Sequence, residues 1–238
     1  MRCLDLTLPT PAENLAADEA LWEAVEAGDA EVLRFWEASA PFVVLGYANR
    51  AAREADLAAC RARGVPVLRR VTGGGTVVQG PGCLNYTLAL RLDHHAATAS
   101  ITGTNLWILN RHATALGALL GRPVRRRGDT DLAVDGRKFS GNAQRRGRRA
   151  LLFHGTVLLE FDLALVAALL PLPSREPDYR GGRPHEDFLT NLHLPAAAVK
   201  AALRAAWDAR EPATEWPAAC TAELAAAKYA RPEWNFRF

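Results

Sequence analysis

RRVTGGGTVVQGPGCLNYT, residues 69–87, is the stretch whose reading decides the fold. Apolar runs at Val65–Val71 and Thr76–Gln79 flank three consecutive glycines, and a Gly80-Pro81-Gly82 turn leads into a third run, Leu84–Leu90. Glycines between strands let the backbone bend and let another group come close to it. The exposed N–H groups of such a turn can hold phosphate or carboxylate oxygens. Arg70 enters the turn and offers the same anion a planar fork of donors. No Gly-Lys-Ser/Thr follows and no GxGxxG opens a helix, so neither a P-loop nor a dinucleotide fingerprint is present. A plain tight turn or bulge is the alternative reading.

Outward from this turn the chain mixes strands and helices. Upstream, residues 12–27 read as a helix with Leu15, Leu21, Trp22 and Val25 on its apolar side, and EVLRFWE and PFVVLGY read as strands. A helix is expected over 51–63, ending at Gly64. Downstream, 101–120 is helical in pattern, Asp131–Val134 and Arg137–Gln144 form a hairpin about Asp135-Gly136, and Leu151–Phe161 is a longer strand. The proline-rich stretch 171–195 reads as a long ordered crossing, followed by helices near 196–209 and 217–229. No strand–helix–strand cadence repeats, which favours an α+β domain over a doubly wound sheet.

GDTDLAVDGRKFSGNAQ, residues 128–144, is the second informative segment. Strict alternation places Lys138, Ser140, Asn142 and Gln144 on one face and Phe139 on the other. On LLFHGTVLLEF the same rule puts His154 and Thr156 together, with Phe153, Gly155 and Val157 opposite. A lone lysine here is also compatible with edge-strand protection against aggregation. The polar face and nearby Asp129 and Asp131 point to substrate contact.

A chain of 238 residues, 49% hydrophobic, can bury one sizeable core, and a net charge of only +3 excludes a disordered polyelectrolyte. No run is long enough to span a bilayer, and the start lacks the character of a signal peptide. Cys3, Cys60, Cys83 and Cys220 are scattered without metal-ligand spacing, so free thiols in a cytoplasmic, reducing setting are expected. Arginines cluster at 122–127 and 145–149. They read either as solvated surface or as attraction for nucleotide phosphates or an acidic partner. No nucleic-acid-binding module accompanies them.

NLAADEAL near the start, LRFWEASAPFVVLGYANR, RRVTGGGTV, GDTDLAVDGRKFSGNAQ, LLFHGTVLLEFDL and KYARPEWNF at the close together resemble the lipoate–protein ligases and octanoyl or lipoyl transferases, relatives of biotin protein ligase. The resemblance spans nearly the whole chain. It implies a single α+β catalytic domain over 1–238, with a mixed, largely antiparallel sheet flanked by helices. It implies an acyl-adenylate made from ATP and lipoate, then transfer to a lysine of a lipoyl domain or glycine-cleavage H protein. Lys138 matches the family's essential lysine, contacting acyl carbonyl and α-phosphate. Arg70 matches the phosphate arginine, and Gly75, Thr76, Val77 and Val78 the backbone along the nucleotide. Trp36, Gly73, Gly74, Gln79, Ser140, His154 and Gly155 match substrate-contacting blocks. Asp131 matches the acidic residue near metal and phosphate, so Mg²⁺ is expected there.

Three departures qualify what the resemblance implies. Gln79 and Gly80 stand where many members have His and Asp. The C-terminal accessory domain that closes over the adenylate in two-step ligases is expected to be absent, or supplied by another polypeptide. The transferase branch uses a cysteine nucleophile, and residues 121–160 hold none, so Cys83 is the candidate to weigh. The readings carried forward are ligase, ATP-independent transferase, and non-catalytic binder of lipoyl domains or nucleotides. Biotin ligation is disfavoured, because RRVTGGGTV replaces that branch's GRGRxGR-type loop.

Overall fold

Residues 1–238 are described by a computed structural model. Strands β1 (Arg2–Asp5), β2 (Val32–Trp36), β3 (Phe42–Leu45), β4 (Val67–Arg69), β5 (Val77–Gln79) and β6 (Cys83–Arg91) occupy the first part of the chain. They are followed by β7 (Val124–Arg127), β8 (Asp131–Val134), β9 (Arg137–Arg146), β10 (Ala150–Leu158) and a two-residue β11 (Glu211–Pro212). Eight form one sheet in the order β11-β1-β2-β6-β10-β9-β8-β7. Only β1 runs parallel to its neighbours; every other pairing in that sheet is antiparallel. The second sheet is β4-β3-β5, with β3 parallel to β4 and antiparallel to β5. This is the expected mixed α+β architecture.

Helix α1 (Pro11–Ala27) starts at a capping box in which Thr10 accepts from the Glu13 amide while Glu13 reaches back to the Thr10 N–H. The expected helix over 51–63 is two, α2 (Ala51–Glu54) and α3 (Leu57–Ala62). Asp56 interrupts it by capping α3, its side chain accepting from the Ala59 amide at 2.9 Å. α4 (Ile101–Leu120) is the longest helix. The crossing at 171–195 carries a 3₁₀ turn at Asp178–Arg180 between α5 (Leu163–Leu169) and α6 (His185–Phe188). α7 (Ala196–Ala206), α8 (Ala218–Leu224), a π turn at Ala225–Tyr229 and α9 (Pro232–Asn235) complete the chain.

Alternation along the strands divides the core. Leu33, Phe35, Leu84, Tyr86, Leu88, Leu151 and Phe153 face α4 and α7, with Ile108, Leu109, Val199 and Leu203. The opposite face carries Val32, Trp36, Ala89 and Leu152 against Leu15, Leu21 and Trp22 of α1, with Phe42 and Val44 of the small sheet. Burying each such large side chain contributes about 1.5–3 kcal/mol. The Asp135-Gly136 hairpin forms as expected, both residues having positive φ (48° and 75°). The arginines at 125–127 lie exposed on edge strand β7.

Strict alternation fails in β9. Leu132 pairs with Ser140 while Ala133 pairs with Lys138, so Phe139 is an extra, bulged residue. Ser140, Asn142 and Gln144 therefore share the α4 side with Phe139. Lys138 turns to the opposite, α1 side with Gly141 and Ala143. Two contacts confirm the sides: Gln144 Nε2 donates to Ile101 O of α4 at 3.1 Å, and Arg145 lies over the Trp22 ring of α1 at 4.9 Å.

Candidate active site

The α1 side of the large sheet is unusually polar for an interior face. Arg34, Asn85, Thr87 and Thr156 are all buried there, and His154 nearly so. Arg34 Nη1 pairs with Asp18 Oδ1 at 2.7 Å, and its other N–H groups reach Leu6 O, Asn14 O and Asn14 Oδ1. All five guanidinium donors are thus used, which satisfies the cation inside the fold. Burial pushes the Asp18 carboxyl up, but His154 and Arg34 outweigh it and hold Asp18 below the usual carboxylate range.

Lys138 Nζ lies 2.7 Å from Asp131 Oδ1, and the Tyr179 hydroxyl donates to Asp131 Oδ2 at 2.8 Å. The lysine is about a quarter exposed (23%), within reach of solvent. Gly141 makes room for it, since an added Cβ there would stand 2.9 Å from Nζ. Thr190 N–H donates to Lys138 O, so the 171–195 crossing supports the lysine backbone as well as supplying Tyr179. Burial first, then the neighbouring Asp131 charge, raises the Tyr179 phenol pKa, so Tyr179 remains a donor.

The glycine turn sits on the same face, an added Cβ on Gly74 lying 3.6 Å from the Ala143 side chain. Ala143 is two residues along β9 from Gly141, about 7 Å. None of the N–H groups of Gly73, Gly74, Gly75 or Thr76 donates within the protein, and the three glycines are exposed.

Arg70 does not offer the turn's ligand an open fork, contrary to the sequence expectation. It is buried, and its Nη2 donates to Gly73 O at 2.6 Å and Gly75 O at 2.8 Å. Its Nε donates to Thr72 Oγ1, and Nη1 approaches Val44 O. Burial lowers this guanidinium to about 10. The physical consequence follows from peptide planarity: the N–H of Gly74 opposes the Gly73 carbonyl, and that of Thr76 opposes the Gly75 carbonyl. By gripping those two carbonyls, Arg70 aims the Gly74 and Thr76 N–H groups away from itself. The fork shapes the turn instead of presenting its own donors to a ligand.

Trp36, Gln79 and His154 also lie on this face. Trp36 packs against Phe42 (centroids 6.3 Å apart), and Gln79 Nε2 donates to Thr156 Oγ1 at 2.9 Å. Thr76 Oγ1 donates to Asn49 Oδ1, while Val77 and Val78 pair with Val44 and Val43, the Val78 side chain turned into a separate cluster. Two expected substrate contacts lie elsewhere. Ser140 is buried on the α4 side by the Phe139 bulge. Gly155 pairs with Asn142 and Tyr86, where an added Cβ would overlap Asn142 Oδ1. Cys83 is fully buried beside Val43, Leu45 and Phe161, and burial pushes its thiol up to about 12.

Asp18, Thr72, Gly46, Asn49 and Tyr179 belong to the site's framework although the sequence reading did not single them out. NLAADEAL carries Asp18, RRVTGGGTV carries Thr72 and LGYANR carries Gly46 and Asn49, whereas Tyr179 had no local signal at all.

Comparison with known proteins finds lipoate-protein ligases and octanoyltransferases alike. The model of the lipoyl protein ligase A/B catalytic domain matches residues 10–203. The chain is 32% identical over 193 residues to octanoyltransferase LipM of Moorella thermoacetica, covering 73% of this chain and 70% of that protein. Among solved structures, a bi-partite lipoate protein ligase of Thermoplasma acidophilum, studied with its E2 lipoyl domain, superposes with TM-score 0.85 at 26% identity. That match covers 99% of this chain and 95% of the other. Lipoate-protein ligase A bound with ATP superposes with TM-score 0.86 at 27% identity, covering 99% and 98%.

Proposed function

The chain belongs to the lipoyl protein ligase A/B catalytic-domain family, and from that premise we propose that it attaches lipoate, through an ATP-derived lipoyl-adenylate, to a specific lysine of a lipoyl domain or glycine-cleavage H protein. The observation that carries this reading is the pairing of Lys138 with a turn of four unbonded N–H groups on one sheet face. A nucleotide phosphate seated on the Gly73–Thr76 amides would bring an adjoining acyl-phosphate toward the Lys138 ammonium. There the cation stabilises the negative charge that builds on the carbonyl and on the departing phosphate. Asp131, anchored in turn by the Tyr179 hydroxyl, holds the ammonium in place. The similar structure bound with ATP supports the nucleotide.

Mg²⁺ usually takes one or two protein carboxylates and completes its shell with substrate phosphates. Asp131 supplies one such carboxylate, and no group of three or more metal-ligating side chains joins it. When bound, the ion would screen phosphate charge during adenylation. In the present geometry both Asp131 oxygens are engaged, by Lys138 and Tyr179.

The second reading is an octanoyl or lipoyl transferase that needs no ATP, favoured by the similarity to octanoyltransferase LipM. The depth of Cys83 argues against a thioester on that thiol, because the thiolate is the nucleophilic form. The bi-partite relative supports a separate accessory chain and a lipoyl-domain acceptor. Four free cysteines support a reducing, cytoplasmic setting, and no helix is long and apolar enough to cross a membrane. Incubation of the acceptor with ATP, Mg²⁺ and free lipoate, beside an acyl-carrier donor without nucleotide, separates the two. Mass gain only with the acyl carrier would replace the ligase by the transferase. No gain with either, despite binding, would leave a non-catalytic binder.

A further inference from the structure

A chain of hydrogen bonds runs from α1 to the glycine turn, and its direction can be assigned from chemistry. Asp18 Oδ2 lies 3.1 Å from His154 Nδ1. His154 Nε2 lies 2.7 Å from Thr72 Oγ1. Thr72 Oγ1 accepts from Arg70 Nε at 2.9 Å, and Arg70 Nη2 holds Gly73 O and Gly75 O. A carboxylate only accepts, so His154 carries its proton on Nδ1. In the neutral imidazole Nε2 is then an acceptor, and the Thr72 hydroxyl proton points at it. That orientation leaves a Thr72 lone pair facing Arg70 Nε. Every group in the line is thereby determined by the one before it.

We propose that Asp18 is a positioning residue for the Gly73–Gly75 turn, acting through His154, Thr72 and Arg70 to aim the turn's N–H groups at the nucleotide phosphate. The inference rests on the ligase reading and deepens it. Helix α1 itself is latched to β2 by the saturated Arg34, so the relay starts from a rigid point. The order Thr–His–Asp is also that of a nucleophilic triad. Thr72, however, is fully buried and its hydroxyl is held at both ends, which suits transmission of geometry and denies it to an incoming acyl group.

The test combines a tautomer measurement with kinetics. Long-range ¹H–¹⁵N spectra of ¹⁵N-histidine-labelled protein should show His154 protonated at Nδ1 in the wild type and at Nε2 in Asp18→Asn. Thr72→Val removes the central link and leaves the Asp18–Arg34 pair intact. It should raise the KM for ATP about tenfold, the scale of one good hydrogen bond, with a smaller change in kcat. Thr72→Ser restores the hydroxyl and should restore the KM. Because the links act in series, adding Asp18→Asn to Thr72→Val should cause little further loss. A wild-type His154 protonated at Nε2, a Thr72→Val enzyme with an unchanged KM for ATP, or additive losses in the double variant would each overturn the relay. Should Asp18→Asn fail to fold, the two Thr72 variants and the wild-type tautomer still decide it. Should the wild type turn over no substrate, the ligase reading falls, while the tautomer still reports on the hydrogen-bond order.

Discussion

Gly46 has no side chain because the Gly74 carbonyl oxygen occupies the space a Cβ would need. The first strand of the small sheet is thereby pressed against the glycine turn. The Gly46 N–H and the Thr76 hydroxyl both donate to Asn49 Oδ1, closing the contact. Gly46→Ala must push Gly74 out of position. Overpacking of this kind costs about 1–3 kcal/mol, and the displaced turn should lower kcat/KM for ATP at least about tenfold. Denaturant unfolding together with steady-state kinetics checks both effects. An unchanged KM for ATP would show that the turn's position does not matter to the nucleotide.

Gly155 gives the contrasting case. Its missing side chain accommodates Asn142, which accepts from the Tyr86 hydroxyl and donates to Thr130 O at 2.7 Å. This cluster lies on the α4 side, away from Lys138. Gly155→Ala should therefore lower stability by about 1–3 kcal/mol while leaving the KM for lipoate in the folded enzyme nearly unchanged. A raised lipoate KM without loss of stability would return Gly155 to the acyl site.

These two glycines mark what the sequence can and cannot disclose. The Asp135-Gly136 hairpin, the Gly73–Gly75 turn and the polar alternation of His154 and Thr156 are local patterns, and they were legible. The Phe139 bulge was not, because one extra residue leaves no trace in hydrophobic alternation yet reverses the face of Lys138 relative to Ser140. Arg70 was misjudged for a related reason. Its position was evident, but only three dimensions show its donors spent on Thr72, Gly73 and Gly75. Tyr179 reaches Asp131 from 48 residues away, a distance at which no local pattern speaks.

Cys83 supplies a chemical prediction. With its thiol buried and pushed up to about 12, it should resist iodoacetamide in the native protein at pH 8, and Cys83→Ala should retain activity. Intact-mass measurement after brief alkylation, and acceptor acylation by the variant, are the readouts. Rapid native labelling of Cys83 or loss of turnover in a folded Cys83→Ala protein would reopen the covalent transferase.

His112 governs part of the pH dependence of stability. It is fully buried, accepts from Trp207 Nε1 at 2.7 Å, and is lowered from 6.5 to about 3 by burial, with Arg111 adding to the effect. A histidine depressed in the fold takes up a proton more readily when unfolded. Its contribution is therefore complete above pH 6.5 and is lost as pH falls toward 3. Urea midpoints should decline across that interval, and His112→Gln should flatten the decline while lowering stability at neutral pH. A variant whose midpoints fall just as steeply would assign the acid sensitivity to other groups.

Lys138, held by Asp131 on the face of the glycine turn, is the residue proposed to carry acyl transfer. The most direct measurement is the intact mass of a lipoyl domain or H protein after incubation with ATP, Mg²⁺, lipoate, an accessory chain where required, and either wild type or Lys138→Ala. The wild type should add one lipoyl group per acceptor, and folded Lys138→Ala should be slower by at least about a hundredfold, the scale of losing a charge-stabilising donor. Equal acylation by the two proteins would remove Lys138 from the transfer step.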